Sequence, residues 1–256
     1  MKKEYILFID SGIGGLSTLK ETSVAFPFNY IYFADSKNAP YGSHSKSELF
    51  EYLYDIIEFY TEKYKIRIVV LACNTATACC VSLLRKKYTK LTVIGTEPAI
   101  KLAEKQHYFN ILSLTTPATA KQYKYFKLKQ SLKSNVKSFA MPDFAKNVEE
   151  YFIKKTKFSY INVLKNVMFS LNAAKKQSCI VLGCTHYVFV KDIFKKFTNK
   201  CVVDGNKGVS KQVVKVCETL GVQKLKKSSI LFECSNSTNF AKENYKKILS
   251  QILAKL

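Results

Sequence analysis

Short apolar runs alternate with longer stretches of helical period along most of the chain. Residues 5–9, 30–34, 66–71 and 92–95 read as buried strands, and 16–26, 46–64, 77–88 and 98–105 as the amphipathic stretches that follow them. A second series places strands at 111–114, 136–139, 180–182 and 202–203, then a helix at 208–220 and a strand at 230–234. A C-terminal helix is expected to follow, with Ser237 or Thr238 as its N-cap. Such alternation implies right-handed βαβ units around parallel sheets.

One internal repetition stands out of this pattern. Ile68-Val69-Val70-Leu71-Ala72-Cys73-Asn74-Thr75 and Cys179-Ile180-Val181-Leu182-Gly183-Cys184-Thr185-His186 are near copies of each other. Each is an apolar strand, a small residue, a cysteine, and then side chains able to hydrogen-bond. The repeat predicts two pseudosymmetric α/β domains with mostly parallel sheets. The expected division is 1–96 plus 208–256 for the first and 97–207 for the second, with the active site at their interface. Two equivalent strand-to-helix turns then present two thiols to one bound molecule, and opposed thiols suggest proton transfer on both faces of one carbon.

Composition narrows the setting. At 256 residues and 47% hydrophobic the chain is long enough for well-buried cores. Met1-Lys2-Lys3 resembles the start of a signal peptide, but Glu4 and Asp10 interrupt the apolar stretch. No run reaches the length of a membrane span, and a cytoplasmic protein with no membrane contact is expected. Eight cysteines in a reducing compartment are expected to stay free. Cys79, Cys80, Cys179, Cys201, Cys217 and Cys234 read as small buried hydrophobes. No C-x-x-C pair exists, so no structural metal site is expected.

The formal charge of +22 raises the question of nucleic acid. Of 41 basic residues only Arg67 and Arg85 are arginine, whereas phosphate and base edges favour the bidentate guanidinium. Lys124, Lys127 and Lys129 interleave with Tyr123, Tyr125 and Phe126. A helix with a solvated lysine face and a buried aromatic stripe gives the same pattern. Nucleic acid is therefore not an expected partner beyond non-specific electrostatic contact, and the positive field also suits an anionic small molecule.

Every candidate motif falls at the carboxyl end of an expected strand, where open parallel sheets bind ligands. Asp10-Ser11-Gly12-Ile13-Gly14-Gly15 offers glycines for close approach and free amides at a helix start. A dinucleotide fingerprint fails at Ser17. Pro40-Tyr41-Gly42 shapes a second loop whose amides can bind an anion. A thiol beside a helix N-terminus is activated as a base, which fits Cys73 and Cys184. His186, two positions after Cys184, is suited to accept or return a proton. Other readings remain open at this point: one cysteine acting as a covalent nucleophile, or a polyanion-binding module resting on the charge alone.

Asp-Ser-Gly-Ile-Gly-Gly, Pro-Tyr-Gly, Ala-Cys-Asn-Thr-Ala, Gly-Thr-Glu-Pro-Ala and Leu-Gly-Cys-Thr-His-Tyr occur in the order and spacing of the glutamate racemases of the aspartate/glutamate racemase family. The resemblance spans essentially the whole chain. It implies a cofactor-independent enzyme that interconverts L- and D-glutamate and supplies the D-isomer for peptidoglycan. Cys73 resembles the thiol that takes the α-proton from D-glutamate and Cys184 the one that takes it from L-glutamate. Asp10 resembles the helper of Cys73, His186 that of Cys184, and Glu149 a further active-site acid. Asp10-Ser11, Tyr41-Gly42, Asn74-Thr75 and Thr185-His186 match substrate-binding pairs, and Thr116 and Thr119 a threonine-bearing loop. The resemblance also implies a homodimer. Aspartate stays open as the substrate, because one methylene changes binding by only about 1–3 kcal/mol.

Overall fold

A computed structural model describes residues 2–236 together with Glu243, Lys247, Ile248, Ser250 and Gln251. The elements run β1 (Glu4–Asp10), α1 (Leu16–Ala25), β2 (Asn29–Ala34), α2 (Lys46–Lys63), β3 (Lys65–Leu71), α3 (Asn74–Lys87) and β4 (Thr92–Gly95). They continue with α4 (Ile100–Lys105), β5 (Asn110–Thr115), α5 (Pro117–Lys121), α6 (Tyr123–Gln130), β6 (Asn135–Ala140), α7 (Phe144–Lys154), α8 (Lys157–Ala173) and β7 (Cys179–Leu182). Then come α9 (Lys191–Phe197), β8 (Cys201–Val203), α10 (Asn206–Thr219) and β9 (Ser229–Cys234). The expected helix capped by Ser237 or Thr238 begins outside the described residues.

The fold is α/β, built as two compact units, Met1–Thr96 with Asn206–Leu256 and Glu97–Gly205. Each carries its own sheet. In the first the strand order is β4-β3-β1-β2-β9, in the second β6-β5-β7-β8. Every pairing is parallel.

The first sheet is apolar on both faces because helices cover both. Within β1, Leu7 and Ile9 join a core with Leu49, Leu53, Ile57 and Tyr60 of α2. The alternate residues Ile6 and Phe8 point to the other face and are equally buried. The helix α2 starts at a capping box, in which the Ser45 hydroxyl accepts from the Glu48 amide while the Glu48 carboxylate accepts from the Ser45 amide. Its buried residues recur every three or four positions, so one stripe reaches the sheet. In the second unit Leu112, Leu114, Ile180 and Leu182 pack with Phe144, Val148, Val163, Val167 and Phe194.

The two arginines are used inside the fold. Arg67 pairs with Glu4 at 2.7 Å and donates to the Leu220 carbonyl at 2.9 Å, while Arg85 donates to the Val93 carbonyl at 2.9 Å. On α6 only Tyr125 of the three aromatics is buried. Tyr123 is 69% and Phe126 48% exposed, so the expected buried aromatic stripe is one residue wide on this element. Among the described residues, no helix is long and apolar enough to cross a membrane. None of the eight cysteines is in a disulfide, and Cys201 and Cys234 are only partly buried, unlike Cys79, Cys80, Cys179 and Cys217.

Candidate active site

The first unit gathers its polar residues at the carboxyl ends of β1, β2 and β3. Asp10 closes β1, is fully buried, and accepts the Gly12 amide at 2.9 Å. Tyr32, from β2, donates to the Gly12 carbonyl at 2.8 Å, and the two bonds fix the turn. Gly15 must be glycine because an added Cβ lies 2.5 Å from the Ala72 Cβ. The turn after Asp10 therefore packs closely against Ala72, the residue before Cys73.

Cys73 caps α3 from an extended backbone conformation and is 8% exposed. At this position sulfur meets the positive end of the helix dipole, which favours negative charge there. The Ser11 Oγ lies 3.9 Å from the Cys73 Sγ. Asn74 and Thr75, the next residues, are buried, and Asn74 Nδ2 donates to the Thr96 carbonyl at 3.2 Å. The turn after β4 is tied to the same place, since the Thr96 amide donates to Thr77 Oγ1 at 2.9 Å.

The loop after β2 brings in Tyr41, which lies in the same apolar cluster as Cys73. Its hydroxyl donates to Asp35 Oδ2 at 2.9 Å. Burial first, and then the Asp35 carboxylate, push the phenol well above the usual tyrosine range, with Cys73 and Asp10 adding to the effect. Gly42 beside it is exposed. Asp35, which sequence reading took only as the start of this loop, is buried beside Tyr41. The available signal was positional: it follows β2 directly, as Asp10 ends β1.

The second unit builds around Cys184, which is 6% exposed. Gly183 is packed so closely that an added Cβ meets the Leu114 carbonyl oxygen at 2.7 Å. Here the structure departs from the expectation of two equivalent strand-to-helix turns. Cys184 leads into a single 3-10 stretch, Thr185–Val190, before α9 begins. Tyr187 and Val190, both buried, and Phe189, partly buried, hold this stretch against the core. A tight 3-10 stretch aligns fewer amides than α3 does, so a negative charge on Cys184 depends more on side chains.

Those side chains are His186 and Glu149. His186 is buried, and its Nε2 lies 2.7 Å from Glu149 Oε2 on α7. Burial favours the neutral ring, yet hydrogen bonds to Cys184 and Glu149, together with their negative charge, hold the imidazole well above its usual range. Thr185 is buried next to Cys184. At the end of β5, Thr116 caps α5 by accepting the Thr119 amide at 3.2 Å, and its hydroxyl donates to Thr119 Oγ1 at 3.0 Å. The candidate residues thus fall into two sets, Asp10, Ser11, Tyr41, Gly42, Cys73, Asn74 and Thr75 in one unit and Thr116, Thr119, Glu149, Cys184, Thr185 and His186 in the other.

Among the described residues, no three His, Cys, Asp or Glu side chains are grouped to share a metal ion. What the arrangement offers instead is one buried thiol just past a strand's carboxyl end in each unit, Cys73 and Cys184, each beside groups able to trade a proton or a hydrogen bond.

Comparison with known proteins agrees on kinship. No family model matches the chain. The glutamate racemase of Clostridium botulinum (strain Alaska E43 / Type E3) is 36% identical over 256 residues, covering 97% of this chain and 98% of the relative. Escherichia coli glutamate racemase, solved in complex with L-glutamate and the activator UDP-MurNAc-ala, superposes with a TM-score of 0.84 at 23% identity, covering 98% of this chain and 96% of that one. Glutamate racemase from Aquifex pyrophilus gives a TM-score of 0.75 at 27% identity, over 98% of this chain and 95% of that one. The identity to the Clostridium enzyme over nearly the whole of both chains, with the same fold in the solved structures, shows that this chain belongs to the glutamate racemase family.

Proposed function

We propose that this racemase interconverts L- and D-glutamate by proton transfer between two cysteines, without a cofactor, and so supplies D-glutamate for peptidoglycan. The observation that carries the reading is the placement of one buried thiol at a strand end in each unit, each with its own polar helpers. Cys73 takes the α-proton of D-glutamate and Cys184 that of L-glutamate, and each thiol reprotonates the carbanion that the other generates. Asp10 assists Cys73. His186 assists Cys184, and Glu149 acts on the imidazole by holding it charged.

The chemical difficulty is the weak acidity of the α-proton. Without a conjugated electron sink, the carbanion needs hydrogen bonds to its carboxylate and a retained ammonium. Ser11, Asn74, Thr75, Thr116, Thr119 and Thr185 supply hydroxyl and amide groups for this, and the backbone amides at Tyr41 and Gly42 bind an anionic group. Inversion requires one thiolate and one thiol at once, so the pair titrates as a coupled unit.

The test is incubation of the purified chain with L-glutamate and, separately, D-glutamate, without pyridoxal phosphate, followed by chiral analysis. Both reach the racemate if the reading is right. Parallel assays with aspartate fix the substrate, since faster racemisation of aspartate contradicts the assignment to glutamate.

A further inference from the structure

Asp35 is a buried carboxylate to which the chemistry above gives no task. It is 1% exposed and stands one residue past β2. Its amide donates to the Asp10 carbonyl at 2.8 Å, so the two acids occupy neighbouring strand ends. Its side chain accepts from the Tyr41 hydroxyl at 2.9 Å and from Asn38 Nδ2 at 3.1 and 3.0 Å. Among the described residues no lysine, arginine or histidine forms an ion pair with it.

Burying a carboxylate without a cation is costly, and neutral donors offset only part of that cost. Packing alone does not call for it. The two donors it holds explain the position. Tyr41 is 2% exposed and shares an apolar cluster with Cys73 and Ala76. Asn38 ties in the rest of the loop, since its carbonyl lies 2.9 Å from His44 Nε2. A phenol has one proton to donate, and a charged acceptor makes the stronger bond.

We propose that Asp35 is a positioning residue for proton transfer at Cys73: by accepting the Tyr41 hydroxyl proton, it turns that donor away from the thiol. The inference rests on the two-cysteine reading. Besides Asp35, the negative groups that act on this phenol are Cys73 and then Asp10, and a phenol freed from Asp35 turns to the Cys73 thiolate, with which it shares the cluster. A hydrogen bond to that thiolate stabilises the base and weakens it, which slows the removal of a proton from D-glutamate. The Cys184 half-reaction is left untouched.

Isotope effects separate this from a general loss of structure. In Asp35→Ala, kcat/KM falls about ten-fold in both directions alike, because the two enantiomers have equal free energy. The substrate isotope effect on kcat/KM rises for α-deuterated D-glutamate and falls for α-deuterated L-glutamate, since abstraction by Cys73 becomes the more limiting of the two steps. Asp35→Asn keeps the shape and an acceptor oxygen and shows the same direction with a smaller shift, so the test survives if the alanine variant does not fold. Adding Tyr41→Phe to either variant removes the misdirected hydroxyl and returns both isotope effects toward their wild-type values.

Isotope effects unchanged in both directions, with or without a loss of rate, overturn the role of Asp35 and leave the two-cysteine reading standing. The failure of that reading shows separately, as wild-type product that keeps the original α-hydrogen.

Discussion

Glu149 on α7 meets His186 with 2.7 Å between carboxylate oxygen and ring nitrogen, and the contact makes the imidazole a proton-linked element of stability. Burial alone favours the neutral ring, but the bonds to Cys184 and Glu149 and their charge reverse the outcome and hold His186 well above its ordinary value of 6.5. In the unfolded chain the ring titrates near about 6.5. Its contribution to stability is therefore complete below that pH and is lost as pH rises through the raised folded value. Glu149→Gln is expected to lower the thermal midpoint clearly at pH 6, where each kcal/mol is worth about 2–4 °C in a chain of this size. The difference shrinks at alkaline pH. A depression that stays the same from pH 6 to pH 10 contradicts a charged pair.

Replacing either thiol is expected to remove racemisation without unfolding the chain. General base catalysis contributes about 10²–10⁴-fold, and a loss of this order is predicted for Cys73→Ala and for Cys184→Ala. Circular dichroism should stay native. Near-normal turnover in either variant defeats the two-base scheme. In the wild type, kcat/KM follows a bell-shaped pH profile, because one group of the pair must be protonated and the other not.

Gly183 offers a structural test at the second thiol. An added Cβ meets the Leu114 carbonyl oxygen at 2.7 Å and the Thr115 Cγ2 at 2.9 Å, and backbone cannot step aside as a flexible side chain does. Gly183→Ala is expected to destabilise by about 1–3 kcal/mol through overpacking, measured by urea unfolding. The same variant is expected to lower activity, since relieving the contact displaces the Cys184 turn or the end of β5 packed against it.

The strand ends were legible because fully apolar runs bounded by small and polar residues leave little freedom of interpretation. β4, read at 92–95, has the same bounds in the fold. The helices α7 and α8 escaped because no glycine marks their junction. Lys155 takes the left-handed conformation that glycine usually fills, and Thr156 then caps α8 through the Ser159 amide. The matched cysteine segments hid a difference for a related reason. Local sequence shows that a chain turns after a strand, but whether the next residues wind as α-helix or 3-10 depends on what they pack against. The bond from Tyr41 to Asp35 and that from His186 to Glu149 close over 6 and 37 positions. Glu149 lies on no strand end: the family resemblance names it, and the fold sets it against His186.

The central claim is that two different bases serve the two faces of one carbon. Its most direct measurement is the fate of the α-hydrogen early in the reaction in heavy water, starting from each protiated enantiomer in turn. Two bases predict that the product forms with deuterium at the α-carbon from the first turnovers while recovered substrate stays protiated. Product that keeps the original hydrogen, from either enantiomer, contradicts the account.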